Sequence, residues 1–313
     1  MFPWCYLKLL SSKPALKIYS GTSFISLYKL RLDNMRKLLT LIQNLSLDVT
    51  TGAVICSLYV AKLFEVRLEN SMLVGLGVAI WLIYSIDHLF DAKKDDGNST
   101  NQRHAFHQKY FKPIIYVTAI VFLVGVFNLY YLPWVTTKLG LILALLVLIY
   151  IGSLHLLKLN KTWHKEFLAA IIYSFGIFVA PLSLLKHWDV FVLYVFAVFF
   201  LIVVTNLLVF PIFEYNNDRS NNIQSIATLY GKAFVRRLAV IILVLNILLI
   251  VCGMIYVNPV MTGARWLNSE YILFMMTLVL AVLLRYPTFF QHKDRYRWIG
   301  DGIFFFPLIF LLL

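Results

Sequence analysis

The chain carries only 15 acidic residues in 313, and their spacing is the part of the sequence that could do chemistry. Asp87, Asp91 and Asp95 recur every four residues in Asp87-His-Leu-Phe-Asp91-Ala-Lys-Lys-Asp95-Asp96. Glu214 and Asp218 do the same in Glu214-Tyr-Asn-Asn-Asp218-Arg219. Residues four apart share a helix face, and each step of four drifts by only about 40° around the axis. Each set therefore forms a stripe of carboxylates along one helix. Both stripes follow apolar runs, at helix C-termini whose dipole favours cations. Stacking acids there costs energy unless a cation binds. Oxygen-only ligands at this density suit Mg2+, which takes one or two carboxylates, several waters and a phosphate. Lys93, Lys94, Arg103, Arg219 and Lys232 lie close in sequence to the stripes. Acids interspersed with bases in this way are the arrangement expected of a metal–diphosphate site.

The elements that must hold these stripes are membrane helices. The chain is 61% hydrophobic and 14% charged, against about 45–50% and about 25% in soluble domains. That excludes a disordered chain, a disulfide scaffold and a soluble nucleic-acid binder. Cys5, Cys56 and Cys252 form no spaced pattern, so inert thiols are expected. A span needs roughly 20 apolar residues, and nine candidates appear, at about 38–61, 71–90, 114–132, 140–157, 167–185, 189–211, 238–257, 271–286 and 298–313. Alternate loops then hold 23 and 5 of the lysines and arginines. By the positive-inside rule this predicts an all-α bundle of nine helices in a cell (inner) membrane, N-terminus cytoplasmic and C-terminus outside. Both acidic stripes fall on the cytoplasmic face, and most of the +13 net charge is that rule at work.

Residues 1–37 read as a basic cytoplasmic segment and 38–313 as the transmembrane domain. Met35, followed by Arg36 and Lys37, looks like a natural start, with 1–34 an upstream extension. The other reading of 1–34 is a short interfacial segment. Two acids lie away from the stripes. Asp48 is about ten residues into the first span, where a charge usually faces the bundle interior; it is the candidate to bind or deprotonate an acceptor, the other reading being a hydrogen bond to a neighbouring helix. Asp301 either snorkels or pairs with Arg297, four residues earlier. His104 and His107 lie beside the first stripe as a polar loop or a phosphate contact, with a transition-metal site the lesser alternative. His88 sits about 100° around the helix, off the stripe.

These features resemble the UbiA-type intramembrane prenyltransferase superfamily over about residues 38–313. The resemblance rests on DxxxDxxxD after the second span and on the run from Glu214 through Gln224-Ser-Ile-Ala-Thr-Leu-Tyr-Gly231. It implies a nine-helix bundle that moves an isoprenyl group from a prenyl diphosphate to an aromatic or lipophilic acceptor. It also implies Mg2+ held by Asp87, Asp91, Asp95, Glu214 and Asp218, and a diphosphate clamped by Lys94, Arg103, Lys158 and Arg219. The family's leading Asn is Asp87 here, the second motif opens on Glu214, the motif's Gly is Asn222, and the Arg-Pro usual after the first motif is missing. These departures mark a divergent branch. They leave two other functions to weigh, a catalytically inactive scaffold and a transporter. A transporter fits poorly, because the acids crowd one face and mid-span charge is nearly absent.

Overall fold

In lipid, every backbone N–H and C=O must be bonded within its own segment, so long apolar runs fold as helices. The computed structural model follows that rule and describes residues 35, 37–94, 102–155, 164–221, 223–256 and 264–312. The helices are α1 (Lys37–Asn44), α2 (Leu47–Leu63), α3 (Asn70–Lys94), α4 (Gln102–Lys109), α5 (Phe111–Asn128), α6 (Trp134–His155) and α7 (His164–Leu184). They continue as α8 (Val190–Ser220), α9 (Ile226–Tyr230), α10 (Lys232–Tyr256), α11 (Ala264–Arg285), α12 (Pro287–Gln291), α13 (Arg295–Gly302) and α14 (Pro307–Leu312). Among the described residues there is no strand. The chain divides into two units, residues 1–42 and 43–313. In the first, the described residues 35 and 37–42 are helical. Everything below concerns the second.

Among the described residues, six helices are long and apolar enough to cross a bilayer, or up to seven if the pair α1 and α2 counts as one broken span, against the nine expected. The expected first span over 38–61 is thus interrupted at Leu45–Ser46, where Ser46 adopts a left-handed conformation with φ 53°. The break frees the Leu45 carbonyl, and the Trp81 indole on α3 donates to it at 3.0 Å. A distant side chain thus satisfies what the interrupted helix leaves open. The expected span 271–286 falls on the latter part of α11 and ends one residue beyond it. The expected 298–313 is divided among α13, a 3-10 turn at Ile303–Phe305 and α14. Pro307 opens α14 rather than lying inside a helix, a position where its missing N–H costs nothing.

The core gathers on α8, which packs against α7, α10 and α11. Val195, Val198, Phe199, Ile202 and Leu208 are fully buried there. By contrast, α5 and α6 expose Ile120, Leu123, Phe127, Leu145 and Leu148, as helices facing lipid should. Tyr130, Tyr131 and Trp134 are exposed between them, and amphipathic rings of this kind favour a bilayer interface.

Candidate functional site

The second acidic stripe exists because α8 does not stop at Pro211. The helix runs through that proline to Ser220, which puts Glu214 and Asp218 on one face one turn apart. Asp218 is buried, at 6% exposure. Its carbonyl accepts the Ile223 amide at 2.8 Å, turning the chain out of the helix. Arg219 is exposed on the same helix. Glu214 is tied to α13: its Oε1 accepts from Arg297 Nη2 at 2.8 Å and from the Tyr296 hydroxyl at 3.1 Å. Arg297 Nε also donates to the Tyr296 oxygen, at 3.2 Å. The Tyr296 ring stacks on Phe213 at 4.7 Å and 8°. Burial first, and the Glu214 charge second, push the Tyr296 phenol up, so it remains a donor. Burial alone would lower the Arg297 pKa, but Glu214 and Tyr296 outweigh it and hold the guanidinium above its usual range. The described ion pair of Arg297 is therefore with Glu214, 83 residues away, and not with its helix neighbour Asp301.

The first stripe lies at the C-terminal end of α3. Asp87, His88 and Asp91 each offer a ligand atom, and these atoms all lie within 4.8 Å of one another. His88 thus joins the stripe despite its position around the helix. Its imidazole is long enough to lean back, and it packs against the buried His107 of α4 at 4.9 Å between ring centroids. Gln108 of α4 donates to the Ala92 carbonyl at 3.3 Å, holding the short helix against the stripe. Asp95 and Lys158 lie outside the described residues. Lys94 and Arg103 belong to α3 and α4, and their side chains lie outside the described set, as does that of His104.

Glu166 tethers the segment that follows the second stripe, and the sequence reading did not single it out. It stands in the first turn of α7, where the dipole favours an acid; that position was the one signal available. Its Oε1 accepts the Ile226 amide at 3.1 Å, capping α9 directly after the second stripe. Ser225 and Thr228 complete the cap as a reciprocal box, and Gly231 takes φ 91°, which suits glycine. Glu166, Asp87, Asp91 and Tyr84 all act electrostatically on the Tyr150 hydroxyl. The acid-bearing ends of α3, α7 and α8 therefore belong to one end of the bundle, beside Tyr150 of α6.

The donor set fits a hard divalent cation. The Asp87 and Asp91 carboxylates offer oxygens within 4.8 Å of each other, and Mg2+ takes one or two carboxylates while keeping waters and phosphate oxygens. His88 is not a usual Mg2+ ligand and suits a hydrogen-bonding place behind the carboxylates. Asp48 stands in the first turn of α2, half-buried, with Oδ1 accepting the Val49 amide at 2.9 Å.

Comparison with known proteins agrees with this architecture. Residues 50–306 match the UbiA prenyltransferase family. The fold is similar to the apo structure of a UbiA homolog from Aeropyrum pernix K1, with TM-score 0.62, 13% identity, and 86% of this chain and 98% of that chain covered. It is also similar to a UbiA homolog from Archaeoglobus fulgidus bound to GPP and Mg2+ (TM-score 0.57, 9% identity, 86% and 99% covered). A structure of digeranylgeranylglyceryl phosphate synthase gives TM-score 0.53 at 16% identity, with 88% and 96% covered. No curated protein matches.

Proposed function

The chain belongs to the UbiA prenyltransferase family, and on that premise we propose that it moves an isoprenyl group from a prenyl diphosphate to a lipophilic or aromatic acceptor, using Mg2+. The observation that supports this most directly is the Asp87–His88–Asp91 cluster, with the Glu214 stripe at the same end of the bundle. The A. fulgidus homolog, whose fold is similar, is bound to GPP and Mg2+.

In this reading Asp87, Asp91 and Asp95 from the first stripe, and Glu214 and Asp218 from the second, hold Mg2+. The ion, when bound, neutralises charge on the leaving diphosphate and so eases C–O cleavage. Lys94, Arg103, Lys158 and Arg219 contact phosphate oxygens and orient the diphosphate along the stripes. Glu166 keeps α9 docked behind the second stripe and so fixes the stripe's direction. The prenyl tail lies among the apolar helices. Asp48, inside the bundle, takes the acceptor's hydrogen bond or proton. The site faces the cytoplasm from a cell (inner) membrane, as the lysine and arginine distribution favours.

One observation favours a second reading, an inactive scaffold: Arg297 already occupies Glu214. A single experiment separates the two. Membranes carrying the protein, or Asp91→Ala or Asp218→Ala, are incubated with Mg2+ and a panel of prenyl diphosphates plus a lipid extract of the host. The protein releases diphosphate and forms a prenylated product, and each substitution lowers the rate by about 10²–10³-fold. Normal Mg2+-dependent turnover in both variants overturns the site. No product and no diphosphate release across the panel favours the scaffold.

A further inference from the structure

The outer surface of α10 and α11 carries two apolar stripes. On α10 the exposed residues Ile241, Val244 and Leu248 recur every three or four positions, and the same face reaches the exposed Arg237 one turn earlier. On α11 the exposed residues Met275, Leu278 and Val282 recur in the same way, and that face ends at the exposed Arg285. Residues at these spacings lie along one side of a helix. The two helices pack together in opposite directions. Asn246 of α10 donates to Thr277 of α11 at 2.9 Å, and farther along Arg236 Nη2 donates to the Leu284 carbonyl at 3.0 Å. The start of α10 therefore meets the end of α11, and both stripes finish on an arginine at the same end of the bundle.

Nothing in the surrounding helices neutralises this group of arginines. The one acid in the sequence of α9 to α12 is Glu270, and it packs beside Gly253 at the other end of α10 and α11. Among the described residues, Arg236, Arg237 and Arg285 make no ion pair; the pair at this end of the bundle is Arg297 with Glu214. Arg236 and Arg237 stand in the second turn of α10, at the end where the helix dipole opposes a cation, so they are not there to stabilise the helix. Arg285 lies over the Tyr286 ring at 5.5 Å. Tyr286 and Phe234, beside the arginines, are both more than half exposed, and Tyr is a ring that favours the bilayer interface. The arrangement is a set of unmatched cations at the boundary between an apolar surface and water.

We infer that this edge of the bundle binds an anionic phospholipid, its phosphate on Arg236, Arg237 and Arg285 and an acyl chain along the stripes of α10 and α11. Arginine suits the phosphate because its planar fork matches the phosphate oxygens. The stripes suit the chain: from Arg237 to Leu248 the face runs about 16 Å at 1.5 Å per residue, the depth of one leaflet of a hydrocarbon layer about 30 Å thick. A zwitterionic headgroup brings its own cation to the arginines and gains less. A free phosphate ion meets the arginines but leaves the stripes unused. Membrane topology requires a bias of bases to one side; it does not require arginines at the head of two adjoining lipid-facing stripes. The site is separate from the acidic stripes and does not rest on the proposed prenyl transfer.

The test titrates the full chain in detergent with phosphatidylglycerol or with phosphatidylcholine of the same acyl chains. Bound lipid is counted by native mass spectrometry, and its effect is read as a shift of the thermal midpoint. Phosphatidylglycerol binds about tenfold or more tightly than phosphatidylcholine. Arg237→Gln and Arg285→Gln each weaken phosphatidylglycerol by about fivefold and together by about thirtyfold, as expected for basic side chains near an anionic headgroup. Binding of phosphatidylcholine is unchanged. Among the described residues neither side chain donates a hydrogen bond, so the variants keep the fold, which their melting curves without lipid check; Arg285→Gln alone carries the test if the double variant melts early. Lys138→Gln with Lys186→Gln removes the same charge at the other end of the bundle and leaves phosphatidylglycerol binding unchanged. Equal binding of the two lipids overturns the inference, as does an arginine double variant that loses no more than the lysine one. Inorganic phosphate and farnesyl diphosphate are added as competitors, and neither displaces the lipid when equimolar with it. Displacement by inorganic phosphate makes this a free-anion site, and displacement by farnesyl diphosphate makes it part of the substrate's path; either result overturns the lipid assignment.

Discussion

Replacing Arg297 by glutamine isolates what Glu214 does when its cation is gone. At an effective dielectric of about 20, unit charges about 4 Å apart attract by about 4 kcal/mol. Desolvation offsets part of this. Broken pairs cost about 0–1 kcal/mol when exposed and about 3–5 when buried. Both side chains here are 23% exposed, and the Tyr296 hydroxyl is shared between them, so the loss is about 2 kcal/mol by interpolation between those limits. At about 2–4 °C per kcal/mol, the thermal midpoint of Arg297→Gln in detergent falls by about 4–8 °C without Mg2+. Saturating Mg2+ restores at least half, because a divalent ion at the stripe replaces the missing charge beside Glu214. Glu214→Gln falls by a similar amount and gains less from Mg2+. The double variant is no worse than either single one, with a coupling energy of about 1–2 kcal/mol. The same loss for Arg297→Gln with and without Mg2+ refutes Glu214 as an ion ligand. Additive losses in the double variant refute the pair itself.

Further outcomes follow from other packed details. Gly253→Ala drives a methyl into the hydrogen bond between Tyr194 and the buried Glu270; it destabilises by about 1–3 kcal/mol, and Tyr194→Phe added to it recovers part of the melting loss. Trp81→Phe removes the donor at the Leu45 carbonyl and costs about 1–3 kcal/mol, seen as faster amide exchange around the α1–α2 break; unchanged exchange there sinks the idea. Glu166→Ala uncaps α9 and costs about 1 kcal/mol of stability. It also slows transfer by about tenfold through misplacement of the second stripe, measured as kcat at saturating prenyl diphosphate; a melting loss without a rate loss makes the cap structural only.

How far the chain could be read in advance depended on the range of each interaction. The stripes were legible because Asp87 and Asp91, or Glu214 and Asp218, stand in the i, i+4 relation that any helix imposes. Six membrane helices were legible from apolar length alone, and a seventh as the broken α1–α2 pair. The break at Ser46 was not, because nothing local in Gln43–Asp48 interrupts a helix. What sustains the break is Trp81, 36 residues on. The pairing of Arg297 with Glu214 was equally hidden. Sequence proximity favoured Asp301, four residues away, whereas the fold brings a carboxylate from another helix. Glu166 looked like an ordinary first-turn acid until its oxygen was found on Ile226. The apolar run over 298–313 concealed a segmented end, although Gly300, Gly302 and Pro307 were the residues that could have announced it.

The length of α8 has a consequence for traffic through the protein. Its 31 residues extend about 46 Å at 1.5 Å per residue, well beyond a hydrocarbon layer of about 30 Å. The turns bearing Glu214 and Asp218 come at the end of that excess. The proposed reaction therefore takes place at a phase boundary, with two exits. Inorganic diphosphate steps directly into water, while the alkylated product leaves sideways between helices without crossing a polar layer. Two products that never compete for one door need no large gate. In the proposed reaction, release of the two products is then a partition between two solvents.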